Sequence, residues 1–167
     1  TRNLQAAIDS GARRVIVDRQ ATPWLTTPLK LRGDLELILE PGAKIAAVPG
    51  AFLDIHDAMF TATKVSNLTI AGGPGAEITM RKQDYQDPEK YAKSEWRHAI
   101  SLLSCRNVTI RDLIISASGG DGIYVGVLAE KGNRENFCRD IVIERVDCDG
   151  HNRQGISVIS VDGLTIR

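Results

Sequence analysis

The chain has 167 residues, with 21 basic and 21 acidic side chains and a formal net charge of zero. That length suggests one domain with a real core, the balanced charge argues against a nucleic-acid partner, and no apolar run reaches the roughly 18 residues of a membrane span. Three cysteines, an odd count, argue against a disulfide framework.

From the N-terminus, Asn3 to Ser10 reads as a helix. Thr1 or Asn3 can cap it, Leu4, Ala7 and Ile8 share one face, and Gly11 ends it. Short strands are expected at Val15–Val17, Leu29–Leu31, Leu35–Leu39, Lys44–Ala47, Phe52–Ile55 and Ala58–Ala62, with a turn at Pro41-Gly42. Residues 81–97 and 128–137 interrupt the pattern and read as inserted loops, the first with a short helix over Pro88–Lys93.

The C-terminal third repeats itself. Cys105-Arg106-Asn107-Val108-Thr109-Ile110 returns 33 residues later as Cys138-Arg139-Asp140-Ile141-Val142-Ile143, and Gly122-Ile123-Tyr124-Val125 returns as Gly155-Ile156-Ser157-Val158. Asn67-Leu68-Thr69-Ile70 is an earlier copy of the motif and Val161–Ile166 a later one, so it recurs at intervals of 40, 33 and 23 residues. A unit of short alternating strands cannot bury its apolar face alone and must stack on copies of itself. No crossover helices are available for an ordinary parallel sheet. The fold class is therefore all-β, a parallel β-helix of roughly six coils with inward ladders and a short N-terminal capping helix that hides edge strands. Stacking would place Cys105 and Cys138 about 5 Å apart, within disulfide range for Cα atoms, although stacked free thiols are the plainer outcome. The chain opens on Thr1 and stops within a strand pattern, so it reads as one domain over 1–167 (cap helix within 1–11), truncated at its C-terminal end.

The segments Leu4-Gln5-Ala6-Ala7-Ile8-Asp9, Pro28–Leu31 and Leu35–Ala43 resemble the start of the pectin lyase-like right-handed β-helix superfamily, most closely the polygalacturonase-like proteins of glycoside hydrolase family 28. That family carries an Asn-Thr-Asp triplet opening one strand and an Asp-Asp pair opening the equivalent strand of the next coil. Here the first position reads Gly119-Gly120-Asp121-Gly122 and the second Arg153-Gln154-Gly155, so only Asp121 carries over. The resemblance implies a right-handed coil and a carbohydrate-active enzyme, secreted or periplasmic, acting on an acidic or pectin-type polysaccharide or oligosaccharide.

Glycoside hydrolysis needs an acid and a base. Asp121, Asp149, His151 and Arg153 are the candidate catalytic residues. The register puts Asp121 one coil from Arg153, and His151 can exchange protons near neutral pH. Trp96, Arg97, His98, Tyr124 and Gln154 are the candidate substrate contacts: two aromatic platforms and polar groups for an acidic sugar. Arg153 could hold a uronate carboxylate with its paired fork. No cofactor is expected. No zinc spacing exists, and calcium, through Asp121, Asp147, Asp149 and Glu144, is the one metal alternative. Two other functions share the scaffold: a lyase or epimerase with Arg153 or His151 as base, and a non-catalytic glycan-binding or surface module. Fold alone does not choose among them, and the oligomeric state is left open.

Overall fold

The computed structural model describes residues 2–128 and 133–167. Helix α1 spans Arg2–Asp9 and is followed by fourteen strands: β1 Arg14–Val17, β2 Trp24–Thr26, β3 Leu29–Leu31, β4 Leu35–Leu39, β5 Lys44–Ala47, β6 Phe60–Thr63, β7 Ser66–Gly72, β8 Glu77–Thr79, β9 Ile100–Leu103, β10 Arg106–Ser116, β11 Ile123–Gly126, β12 Cys138–Asp149, β13 Ile156–Val158 and β14 Val161–Ile166. Every ladder between these strands is parallel.

The pairings define a stack of coils with three faces. On the first, β1, β4, β7, the front of β10, the front of β12 and β14 follow one another. The second carries β2, β5, β8 and the rear halves of β10 and β12. The third carries β3, β6, β9, β11 and β13. Because β10 and β12 run unbroken round the first corner, the first two faces form one curled nine-stranded sheet beside a separate five-stranded one.

Alternation turns one side of each strand inward, and like positions then stack into apolar ladders. Val15, Leu37, Ile70, Ile110 and Ile143 line the first face. Trp24, Ile45, Ile78, Ile115 and Cys148 line the second. Leu29, Phe60, Ile100, Ile123 and Ile156 line the third. The 33-residue register holds residue for residue: Ile110 pairs with Ile143, Leu113 with Val146, Ile123 with Ile156 and Val125 with Val158. Burial fades along β13 and β14, where Val158 and Ile166 are exposed.

Corners bend through left-handed residues that are mostly not glycine. Asp34, Asn67, Asn107 and Asp140 occupy equivalent corners at φ 51°, 59°, 50° and 54°. Asn and Asp tolerate that region better than other side chains because they hydrogen-bond locally. Here the bonds run between coils, with Asn107 Nδ2 donating to Asn67 Oδ1 and Asn67 Nδ2 to Asp34 Oδ1, both at 2.8 Å.

Helix α1 closes the first coil by burying Leu4 and Ile8. The Gln5 amide accepts from Lys30 N–H and donates to Lys30 C=O, both at 3.0 Å, which satisfies the free edge of β3. Arg32 donates to Ile8 C=O at 2.7 Å and to Ala12 C=O, fixing the helix end. Among the described residues no helix is long and apolar enough to cross a membrane.

Two local expectations need correction. Residues 52–55 are not a strand; Phe52 lies at φ 63° and anchors a turn. Pro88–Lys93 is not a helix, and the helical turn in that loop is 3-10, over Asp84–Gln86; proline donates no N–H, and the buried rings of Tyr85 and Tyr91 pull the segment inward instead. Strands β2 and β8 went unannounced because Trp24-Leu25-Thr26 does not alternate and Glu77-Ile78-Thr79 has a single apolar residue. The cysteine pair is unbridged: Cys105 and Cys138 are free and buried, and Cys105 N–H points at Cys138 Sγ at 3.3 Å. Residues 129–132 of the second inserted loop lie outside the described residues.

Candidate functional site

The site forms where three coils turn from the second face to the third. After β10 the chain runs Ala117-Ser118-Gly119-Gly120-Asp121-Gly122 into β11, and one coil later Gly150–Gly155 leads into β13. Backbone bonds hold the two turns in register: Asn152 N–H to Ser118 C=O (3.0 Å), Arg153 N–H to Gly120 C=O (3.1 Å) and Gly122 N–H to Gln154 C=O (3.0 Å). On the other side Ala99 N–H donates to Asp121 C=O at 3.1 Å. His98, Asp121 and Arg153-Gln154 are thus successive rungs of one ladder. The glycines are sterically required, since a Cβ on Gly120 would lie 2.6 Å from Glu95 C=O and one on Gly122 2.5 Å from His151 Nε2.

Asp121 is almost fully enclosed, at 1% exposure. Its Oδ1 accepts from Gln154 N–H at 3.1 Å and lies 3.8 Å from Arg153 Nε, while Oδ2 is 3.4 Å from His98 Nδ1. Asp121 N–H donates to His98 Nδ1 at 2.9 Å, which assigns the lone pair of the neutral ring to Nδ1. Burial pushes the His98 pKa down to about 4, against the pull of the Asp121 charge. The ring stacks face to face on half-buried Tyr124, with centroids 4.7 Å apart and planes 10° apart. Tyr124 points to the outer side of β11, as its alternation with Ile123 and Val125 requires.

His151 is also buried, and burial holds its pKa below the usual range. Its Nδ1 sits 2.8 Å from Ser118 Oγ and accepts from Ser118 N–H at 3.3 Å; Nε2 is buried without a partner. The charges of Asp121 and Asp149 both oppose the fall. Asp149 itself is the exposed last residue of β12, rather than part of the turn, and is paired with Ser116 on the second face.

The long loop comes down on these turns and corrects one expected role. Arg97 is fully buried and cannot touch a substrate. Its Nε donates to Phe52 C=O (2.8 Å), Nη1 to Ala92 C=O (3.1 Å) and Nη2 to Leu53 C=O (3.2 Å), and Tyr85 and Tyr91 flank it at 5.8 and 5.4 Å. A cation out of water needs such partners, and these anchor the loop base to the preceding coil. Trp96 remains 46% exposed and stacks on His56, centroids 4.9 Å apart. Toward the next coil the loop is tied by Lys82 Nζ to His151 C=O (3.0 Å), Gln86 to Asn152 (3.3 Å) and an Arg153–Glu95 ion pair (3.1 Å). A cleft of about 300 Å³ opens beneath, lined by Lys82, Tyr85, Lys93, Glu95, Gly119 and Asn152 among others. A larger depression of about 540 Å³ lies on the first face over the Asp34–Asn67–Asn107 corner ladder, lined also by Arg13 and the Arg14–Glu36 ion pair.

The structure therefore gathers Asp121, His98, Arg153, Gln154 and Tyr124, with His151 beside them, while Trp96 stays exposed against His56. It places Asp149 on the outer side of the second face and removes Arg97. The sequence reading passed over Glu95, His56 and Ser118, which lie in loops and turns whose partners come from other coils; the one available signal was Ser118 opening the Gly-Gly-Asp turn. The four acids proposed for calcium do not converge, because Glu144 pairs instead with Arg145 (3.0 Å) and Arg167 (2.7 Å). Among the described residues no group of three or more metal-ligating side chains forms.

No protein-family model matches the chain. It is 28% identical over 137 residues to YclG of Bacillus subtilis (strain 168), described as uncharacterized, over 80% of this chain. The chain spans only 23% of the length of that curated relative. Among solved structures, a protein from Parabacteroides merdae ATCC 43184, provisionally described as a glycosyl hydrolase, superposes with a TM-score of 0.76 at 20% identity, over 99% of this chain and 77% of that one. A 1,3-α-1,4-β-D-galactose-4-sulfate-3,6-anhydro-D-galactose-2-sulfate 4-galactohydrolase gives 0.74 at 19% identity, over all of this chain and 39% of that one. An iota-carrageenase complexed to iota-carrageenan fragments gives 0.72 at 18%, over all of this chain and 36% of that one. At these identities the likeness is one of fold.

Proposed function

We propose that the chain is part of a carbohydrate-active enzyme, a glycoside hydrolase acting on an anionic polysaccharide from a right-handed parallel β-helix. The observation that carries the reading is the placement of Asp121, held by Gln154 N–H and Arg153 on the turn whose Gly119 lines an open cleft with Lys82 and Lys93 on its walls. The right hand follows from the strong preference of parallel crossovers for it. Sulfated glycans are the substrates named for two structures of similar fold, and the polygalacturonase-like resemblance adds uronates. Asp121 is the proton-transferring carboxyl. Tyr124 and Trp96 offer ring faces for sugars, and Arg153 a fork for an acidic substituent. Action on an extracellular polysaccharide would go with a secreted or periplasmic protein.

A lyase or epimerase on the same scaffold would use Arg153 or His151 as base; Arg153 is a permanent cation in an ion pair, and His151 has one nitrogen bonded to Ser118 and the other buried, which supports hydrolysis over elimination. The near-complete enclosure of Asp121 favours a second reading, a glycan-binding module. Assay of the full-length protein on polygalacturonate, a sulfated galactan and a neutral glucan separates these. Hydrolysis yields new reducing ends without an ultraviolet-absorbing unsaturated product. Asp121→Asn should then lower the rate by about 10²–10⁴-fold with an unchanged melting temperature, because the amide oxygen still accepts from Gln154. Full activity of Asp121→Asn would remove Asp121 from the mechanism. Glycan binding with no reducing ends would select the binding module.

A further inference from the structure

The Arg153 guanidinium bridges two carboxylates that differ in kind. Its Nε faces Asp121 Oδ1 at 3.8 Å and its Nη1 binds Glu95 Oε2 at 3.1 Å. The Asp121 side chain is 2% exposed and pinned by Gln154 N–H, so it cannot leave. The Glu95 side chain is 57% exposed, and among the described residues Arg153 is its one hydrogen-bonded partner. The Glu95 backbone, in contrast, is fixed: its carbonyl lies 2.6 Å from where a Cβ on Gly120 would stand, Ser94 Oγ donates to Ile55 C=O at 2.5 Å, and Arg97 locks the loop base. Only the carboxylate is free to swing, and it sits at the wall of the cleft beside Lys93 and Asn152.

We infer that Arg153 reads an anionic substituent of the substrate, a carboxylate or a sulfate ester, and that Glu95 is an intramolecular stand-in which holds that place until the substituent displaces it. The inference rests on the polysaccharide reading above. An exposed ion pair contributes little, so exchange is inexpensive, whereas an oxyanion entering from the cleft can engage the planar fork with two parallel bonds. The exchange keeps Arg153 neutralised throughout. It seats the charged substituent directly beside Asp121, and a neutral sugar has nothing with which to displace Glu95.

Binding of an oligogalacturonate, a sulfated galactan oligosaccharide and a neutral gluco-oligosaccharide of equal length is measured by calorimetry on the full-length protein and on Glu95→Gln, Arg153→Gln and Arg153→Lys, with thermal melts to confirm folding. Glu95→Gln should tighten anionic ligands by about fivefold, the scale of an exposed ion pair, and leave the neutral one unchanged. Arg153→Gln should erase the preference for charge, and Arg153→Lys should retain part of it. Tightening for the uronate alone or the sulfate alone supports the inference and identifies the substituent. Unchanged or weaker anionic binding by Glu95→Gln overturns it, as does an intact charge preference in Arg153→Gln. Equal binding of charged and neutral ligands by the unmodified protein overturns this inference only. Failure of every variant to bind any glycan overturns the polysaccharide reading with it.

Discussion

The backbone N–H of Asp121 donates to His98 Nδ1 at 2.9 Å across one coil step. The bond requires an unprotonated Nδ1, so it ties the turn that carries Asp121 to the charge state of a buried imidazole in the preceding coil.

Stability should therefore fall on acidification. Burial holds the His98 pKa near 4 in the folded chain, below the 6.5 of a free histidine. Between those values the unfolded chain binds the proton and the folded one does not, so stability is complete above about pH 6.5 and is lost as pH falls toward 4, by roughly 2–3 kcal/mol. His151, lowered by the same cause, adds to the slope. Urea denaturation at pH 7.0 and 4.5 measures it, and His98→Asn should flatten it. Equal stability at both pH values would show that His98 is not held neutral.

Arg97→Met should destabilise the protein by about 3 kcal/mol. It leaves the carbonyls of Phe52, Leu53 and Ala92 without their donor, at about 1–3 kcal/mol for each that water cannot reach. The loop over 81–97 should become the first site of limited proteolysis. Arg97→Lys should recover only part of the loss, since an ammonium cannot reach three carbonyls placed for a fork. A wild-type melting temperature in Arg97→Met would contradict the anchor.

Asn67 tests the corner ladder. Asn67→Ala loses the bonds to Asp34 and Asn107 and leaves at φ 59° a side chain without the amide that makes this region tolerable, a combined cost of about 2–3 kcal/mol. Asn67→Gly loses the same bonds without the backbone strain and should cost about 1 kcal/mol less. Chemical denaturation of the pair checks the order, and an alanine variant as stable as the glycine one would mean that the corner relaxes.

Gly120→Ala should loosen the loop without unfolding the coils. The new Cβ would stand 2.6 Å from Glu95 C=O and 2.8 Å from His98 Nδ1, so the loop backbone must retreat, at a cost of about 1–3 kcal/mol. Hydrogen exchange should rise across 94–98 and stay low in β10 and β12. Unchanged exchange in the loop would show that it does not rest on Gly120.

The coil stack was legible in the sequence because strand alternation is local and exact repetition forces register. Ile110 lies on Ile143 and Ile123 on Ile156 at the 33-residue offset, and Asn107 bonds Asn67 at the 40-residue one. The ladder that sets Asp121 beside Arg153 and Gln154 follows from the same register. What the sequence did not reveal depends on burial by distant segments. Arg97 reads as an exposed cation until Phe52, Leu53, Tyr85 and Tyr91 enclose it, since arginine is rarely buried unless paired. His98 reads as a substrate contact and His151 as a proton carrier until the covering loop and the neighbouring coil remove water from their rings. Glu95 carries no pattern of its own and gains meaning only from Arg153, 58 residues away. Short-range alternation thus determined which residues stack, and tertiary packing alone decided which polar groups at the stacked turns keep contact with water.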